Sequence, residues 1–176
     1  MLHAGPIVAL HRDAVLRPDG SVGSYEHVTV HDGVRVAALD DHDQVLLVED
    51  DFYLQHRRVL HLPGGSSEGQ DPRDAAMREL EEETGVVAGH LELLGVVDPL
   101  PAITTARTHL FLATGLRLGS ARRDDTEIGM TVQWWKLADA IEAVRAGGIT
   151  EAGSVSALLL AGLAQLTQPG TVSPTV

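Results

Sequence analysis

Cysteine is missing altogether from the 176 residues, so disulfides and thiolate chemistry are both excluded, and the redox compartment is left open. Aromatic residues are scarce at 3%, which leaves few side chains able to stack on a planar ring and makes each one worth placing. Positive charge is also in short supply. Lys and Arg number 13 against 25 Asp and Glu, for a formal net charge of −12. That balance disfavours a nucleic acid polymer, whose binding depends on basic contacts to phosphates. A small phosphate compound is compatible with the same charge, because a divalent cation can screen carboxylates from phosphates. No apolar run reaches the length of a membrane span; the longest, around Leu158–Leu160, is cut short by Gly162. Residues Met1–Pro6 lack the basic start and apolar stretch of a secretory signal. No membrane partner is expected, and the cytoplasm is the expected compartment.

What is present suits one packed domain. Hydrophobic residues make up 44% and charged residues 22% of the chain. The domain is expected over residues 1–166, followed by a Thr- and Pro-rich tail at 167–176 that should fray. The N-terminal third reads as strands and turns: Ile7–His11 and Ala14–Leu16, a Pro18-Asp19-Gly20 turn, then Tyr25–Val30. Asp32-Gly33 turns the chain into Val34–Leu39, and the polar turn Asp40–Asp43 precedes Val45–Val48, an unbroken apolar run suited to a strand buried on both faces. Further strands are expected at Leu91–Val97, Thr108–Ala113 and Thr131–Trp135, and helices at about Ala138–Ala146 and Ala152–Leu166. One of Trp134 and Trp135 should face the core, as should Leu158–Leu163. Strands then helix, strands then helices, predicts an α/β (α+β) fold with a mixed β-sheet sandwiched between helices.

The clearest element lies between these runs. Asp71 suits a helix N-cap, Pro72 the first helical position, Asp74 the positive helix end and Gly85 a left-handed stop, which predicts a helix over Pro72–Thr84. It sets Glu79, Glu82 and Glu83 at i, i+3 and i+4, on one face. Like charges so placed repel unless something positive sits among them, and Arg78 or a bound divalent cation would serve. Hard oxygen ligands on a rigid face suit Mg²⁺, with Mn²⁺ the alternative. A solvated acidic face is the plainer reading of the same three residues. The preceding Leu62-Pro63-Gly64-Gly65 turn lets backbone approach the cluster closely.

The ordered pattern around these acids decides between the two. Gly64, Gln70, Arg78-Glu79-Leu80, Glu82-Glu83 and Gly85-Val86 resemble the Nudix box, with Gln70 standing where the family has its first glutamate. The resemblance implies that Glu79, Glu82 and Glu83 bind the catalytic metal with a backbone carbonyl of Gly64 or Gly65, and that Arg78 orients the glutamates. Gln70 could still accept a hydrogen bond from Arg78 but without charge, so weakened rather than abolished activity is expected. The general base would be Glu82 or, in the polar stretch Gly119–Gly129, Glu127.

The chain is similar over most of its length to the ADP-ribose pyrophosphatase branch of that family. The resemblance is carried by Pro18-Asp19-Gly20, Val45–Val48, the box, Pro99-x-Pro101 with His109–Ala113, Trp134–Leu137 and Ile149-Thr150-Glu151-Ala152. It implies a Nudix core over residues 34–166 and an N-terminal antiparallel strand extension, residues 1–33, that forms a homodimer. It also implies hydrolysis of ADP-ribose to AMP and ribose 5-phosphate. Alternatives are a sugar nucleotide, dinucleotide or nucleoside triphosphate substrate, or a Nudix-fold nucleotide-binding module without catalysis. Where that branch carries a basic and aromatic stretch, this chain has the acidic Glu49-Asp50-Asp51 before Phe52-Tyr53, and His61 stands where the branch has a glutamate. Arg57, Arg58 and Arg107 are the candidate phosphate contacts, and Phe52 or Tyr53 the candidate stacking partner. His56 and His61 lack a zinc-ligand spacing, so no zinc site is expected.

Overall fold

Side-chain direction alternates along a strand, so a strand with no polar position must be covered on both faces. Residues 45–48 meet that condition, and 34–38 meet it but for Arg35; together they form the centre of the molecule. In the computed structural model, which describes residues 1–119 and 129–167, β1 (His3–Ala4), β2 (Ala9–Leu16) and β3 (Val22–Thr29) form an N-terminal antiparallel sheet. Strand β4 (Gly33–Ala38) runs parallel to β9 (Thr108–Thr114), which pairs antiparallel with β8 (His90–Val97). Strand β5 (Gln44–Phe52) lies between β6 (Arg57–His61) and β11 (Thr131–Lys136), antiparallel to both. A small pair joins β7 (Val86–Val87) to β10 (Arg117–Leu118).

Alternation sorts the core into two layers. Val34, Val36, Ala38, Leu46, Phe111 and Ala113 pack against Ala75, Ala76 and Leu80 of helix α1 (Pro72–Thr84). Ala37, Val45, Leu47, Leu110 and Leu112, from the opposite faces of the same strands, pack under α2 (Leu137–Arg145) and α3 (Ala152–Thr167). Helices thus cover the strands on both sides, as the element order predicts. No described helix is long and apolar enough to cross a membrane.

Several boundaries differ from those expected. Residues 9–16 make one strand instead of two segments, because Arg12 and Asp13, which interrupt the apolar pattern, are held across the hairpin by Glu26 and His27. Ile7 lies outside the strand and is exposed. Strand β5 continues through the acidic Glu49–Asp51 to Phe52, where a 3₁₀ turn at Tyr53–Gln55 leads into β6, an unanticipated strand. Pairing explains it: Arg58 on β6 faces Asp51 on β5 and bonds Glu49 at 3.1 Å, so the polar residues satisfy one another. The Leu158–Leu163 stretch is only half core. Leu158 and Ala161 are buried, whereas Leu159 and Leu163 face outward, as a helical period requires. Trp135 packs on the α2–α3 layer and Trp134 is exposed.

Candidate functional site

Helix α1 has the ends that its sequence calls for. The Asp71 carboxylate accepts the Arg73 N–H at 2.8 Å, Pro72 opens the helix, and Gly85 closes it at φ 71°. Its acidic ridge looks onto the turn that follows β6. The Gly64 N–H donates to Glu83 Oε2 at 2.9 Å, and a β-carbon placed on Gly65 would lie 2.7 Å from Glu79 Oε1. Both carboxylates are buried, Glu79 at 8% and Glu83 at 4% exposure, so the missing side chain at residue 65 is what gives Glu79 its place. Gly64 sits at φ 138° with its α-carbon against the Val34 carbonyl, a conformation and a fit open to glycine alone.

Backbone bonds occupy the carbonyls on either side of Gly64. Val36 N–H donates to Pro63 O and Val34 N–H to Gly65 O, each at 2.9 Å. Gly64 O is left as the turn's open carbonyl among the described residues. Arg78 lies among the acids: its guanidinium donates to Glu82 at 2.8 Å, pairs with Glu79 at 3.0 Å, and reaches Ser66 O at 3.1 Å and Gln70 Oε1 at 3.3 Å. Burial alone would lower the Arg78 pKa, but the bonds and charges of Glu82 and Glu79 outweigh it and raise the value.

The donor set fits a hard divalent cation: carboxylate oxygens on a rigid ridge beside a glycine turn with one open carbonyl, in a cradle that a β-carbon at Gly65 would fill. Among the described residues no three His, Asp or Glu side chains converge into an ion cage as they stand. Arg78 accounts for this physically, since its guanidinium draws Glu79 and Glu82 to itself.

The sequence-derived substrate residues divide into two groups. Phe52 and Arg57 are cross-strand partners on β5 and β6 and line a hollow of about 100 Å³ with Gln55, Val59, Thr150 and Glu151. Arg57 donates to Thr150 Oγ1 at 2.8 Å, and Arg58 is held by Glu49, Asp51 and Gly129 O. Tyr53 is exposed. Arg107 belongs elsewhere. It lines a polar cleft of about 510 Å³ with His31, Asp32, Ser67, Gln70 and His109, next to Arg78 through Gln70. Asp32 organises that cleft, accepting the Arg107 N–H at 2.9 Å and bonding His109 Nε2 at 3.0 Å. Burial would raise the Asp32 pKa, but these partners lower it. Glu127 lies outside the described residues.

Sequence reading missed a second charged cluster, on the far side of the glycine turn. Glu151 caps α3, accepting Gly153 and Ser154 N–H at 3.0 and 2.7 Å, and takes Arg35 Nε at 3.0 Å. Burial pushes its pKa up, but Arg35 and the Ser154 and Gly153 bonds win and bring it down to about 2. His61, also buried, bonds Leu62 O through Nδ1 at 2.8 Å, which places the proton on Nδ1. Its Nε2 is buried without a partner, and burial together with the charge of Arg35 lowers its pKa, so the ring stays neutral.

Comparison with known proteins agrees with this geometry. The model of the NUDIX domain matches residues 29–156. An ADP-ribose pyrophosphatase of Mycobacterium tuberculosis is 33% identical over 161 residues, covering 90% of this chain and 78% of the relative. An ADP-ribose pyrophosphatase of Bacillus subtilis is 28% identical, covering 89% of this chain and 86% of its own. A solved structure described as an ADP compounds hydrolase superposes with a TM-score of 0.84 at 22% identity, over 96% of this chain and 91% of the other, a likeness of fold.

Proposed function

The chain belongs to the Nudix family of hydrolases, and from that premise we propose that it is a Mg²⁺-dependent pyrophosphohydrolase that cleaves ADP-ribose to AMP and ribose 5-phosphate. One observation carries the reading: Glu79 and Glu83 are buried against the Gly64–Gly65 turn, with Glu82 on the same ridge. Two relatives named ADP-ribose pyrophosphatase, each matched over about nine-tenths of this chain, support the substrate.

Glu79, Glu82, Glu83 and the Gly64 carbonyl would hold the ion, Mg²⁺ or alternatively Mn²⁺. When bound, it would acidify a water and neutralise charge on the phosphoryl oxygens. The protein's own groups do the rest. Arg78 fixes the directions of Glu79 and Glu82. We assign to Glu82 the proton of the attacking water, with Glu127 the rival base; that Glu82 is the most exposed of the three, with 39% of its side chain accessible, supports the choice. Water adds to one phosphorus, the bridging P–O bond breaks, and the departing phosphate leaves as the second product. Arg107 with His31 and His109 offers the cleft beside Gln70 to the substrate phosphates, while Phe52 and Arg57 offer the hollow near Glu151. We include in the reading a homodimer formed through β1–β3, which expose Leu16, Val22 and Tyr25.

The test is a substrate panel with Mg²⁺, with products separated by chromatography and mass measured by light scattering. ADP-ribose should give equal AMP and ribose 5-phosphate. Pyrophosphate from a nucleoside triphosphate would move the substrate elsewhere in the family, and nucleotide binding without metal-stimulated phosphate release would make the protein a binding module.

A further inference from the structure

The glycine turn is gripped from two sides. On one side Glu83 holds the Gly64 N–H. On the other, the Leu62 N–H, fully buried, donates to Ser154 Oγ at 2.8 Å, and the Ser154 hydroxyl donates in turn to Glu151 Oε2 at 2.7 Å. Glu151 Oε2 also receives Arg35 Nε, and Arg35 Nη1 donates to Val34 O at 3.0 Å. Val34 O is the atom on which Gly64 rests, and the Val34 N–H holds Gly65 O. His61 completes the grip by bonding Leu62 O.

The network is expensive to keep. Arg35 and Glu151 are 15% and 22% exposed, and a buried ion pair adds little stability over apolar packing. Gly153 leaves room for it, since a β-carbon there would lie 2.8 Å from Arg35 Cγ. Helix α3 could be capped by Glu151 without a hydroxyl reaching across to Leu62, so capping does not explain Ser154.

We propose that Ser154 and Glu151 are positioning residues for the metal-bearing turn: through Leu62 N–H and Arg35 they set where the Gly64 carbonyl meets the acidic ridge. The proposal rests on the reading of that ridge as a metal site. The three ridge glutamates can be fixed by their own helix, whereas the Gly64 carbonyl takes its direction from the backbone on either side, and this network anchors that backbone at Leu62 and Val34. Groups that orient metal ligands from behind are worth about 10–100-fold in metal affinity or activity when removed.

Titration of the full-length protein with Mn²⁺ alone, followed by calorimetry, reads the effect without turnover. Ser154→Ala should bind Mn²⁺ at least about tenfold more weakly than wild type and need correspondingly more metal for half-maximal hydrolysis. Ser154→Cys replaces the hydroxyl with a slightly larger group that is a poor acceptor, and should behave likewise if the alanine variant does not fold. Glu151→Gln keeps an acceptor for the helix N–H groups but loses the charge on Arg35, and should show a smaller loss. Ser156→Ala, whose hydroxyl bonds only Ala152 O on the same helix, should match wild type. Folded Ser154 variants that bind Mn²⁺ with wild-type affinity, even with a lowered melting temperature, would overturn the proposal alone. A wild-type protein that binds no Mn²⁺ would overturn the metal site and this proposal together.

Discussion

Two carboxylate–arginine clusters flank one glycine turn, and they are built to opposite ends. On α1 the ridge pairs Glu79 and Glu82 with Arg78 and turns Glu83 onto the Gly64 N–H, three acids sharing one face with one arginine. At the start of α3, Glu151 meets one arginine, one hydroxyl and two helix N–H groups, and its charge is matched. The first arrangement sets three carboxylates close along one helix face and suits an added cation. The second is complete and suits support. Charge excess, more than the mere presence of acids, separates a reactive site from a structural one here.

Neutralising the ridge tests the first half most severely. Glu83→Gln and Glu82→Gln should each lower turnover by more than about 100-fold, beyond the loss of a supporting partner. Thermal stability should fall by only about 1 kcal/mol, because the amide keeps an acceptor for the Gly64 N–H or Arg78 and relief of the i, i+3 and i+4 repulsion offsets part of the lost charge. Calorimetry and steady-state rates decide it; a fold that collapses in both variants would make the ridge structural after all.

The opposite result is expected across the turn. Glu151→Ala should cost about 3 kcal/mol in urea unfolding, since it strands Arg35 and uncaps α3. The same group governs acid sensitivity. Its folded value of about 2 lies below the ordinary 4.5, so its contribution is fully present above pH 4.5 and is lost as pH falls toward 2. Wild type should therefore lose stability between pH 4.5 and pH 2 more steeply than Glu151→Gln, as read from urea midpoints. Parallel curves would remove Glu151 from the account.

These differences also explain what was legible beforehand. Helix α1 is written in adjacent residues, with Asp71, Pro72 and Gly85 at its ends, and its acids share a face by helical period alone. The Nudix resemblance follows from the same local spacing. Arg35 and Glu151 are 116 residues apart and Ser154 and Leu62 are 92 apart, so no window of sequence contains the second cluster. Strand β6 was hidden for a related reason: its polar residues look like loop until paired with the acidic half of β5. Arg107 was singled out for its charge, but its cleft depends on Asp32, 75 residues earlier.

The two glycines of the turn sharpen the contrast within a few ångströms. Gly64→Ala forces a β-carbon to 2.2 Å from backbone at a positive φ and should prevent folding. Gly65→Ala meets first the end of the Glu79 side chain, at 2.7 Å, a flexible group that can yield more easily than backbone. Its stability should drop by less than about 1 kcal/mol, while hydrolysis falls about tenfold because a ridge carboxylate has been displaced. Equal losses of stability at both positions would show that Glu79 is not free to move.

The smallest effect concerns the one departure from the box. Gln70 Oε1 still accepts Arg78 Nε, at 3.3 Å, so the geometry survives and only the charge is missing. A charged acceptor makes the stronger hydrogen bond, but residue 70 is exposed and water screens most of the difference. Gln70→Glu should therefore raise kcat only about threefold, with KM nearly constant, because a carboxylate there competes with Glu82 for Arg78 and loosens Glu82 for its role in proton transfer. A fall in kcat instead would mean that Arg78 must hold Glu82 tightly, and would move the base from Glu82 to Glu127.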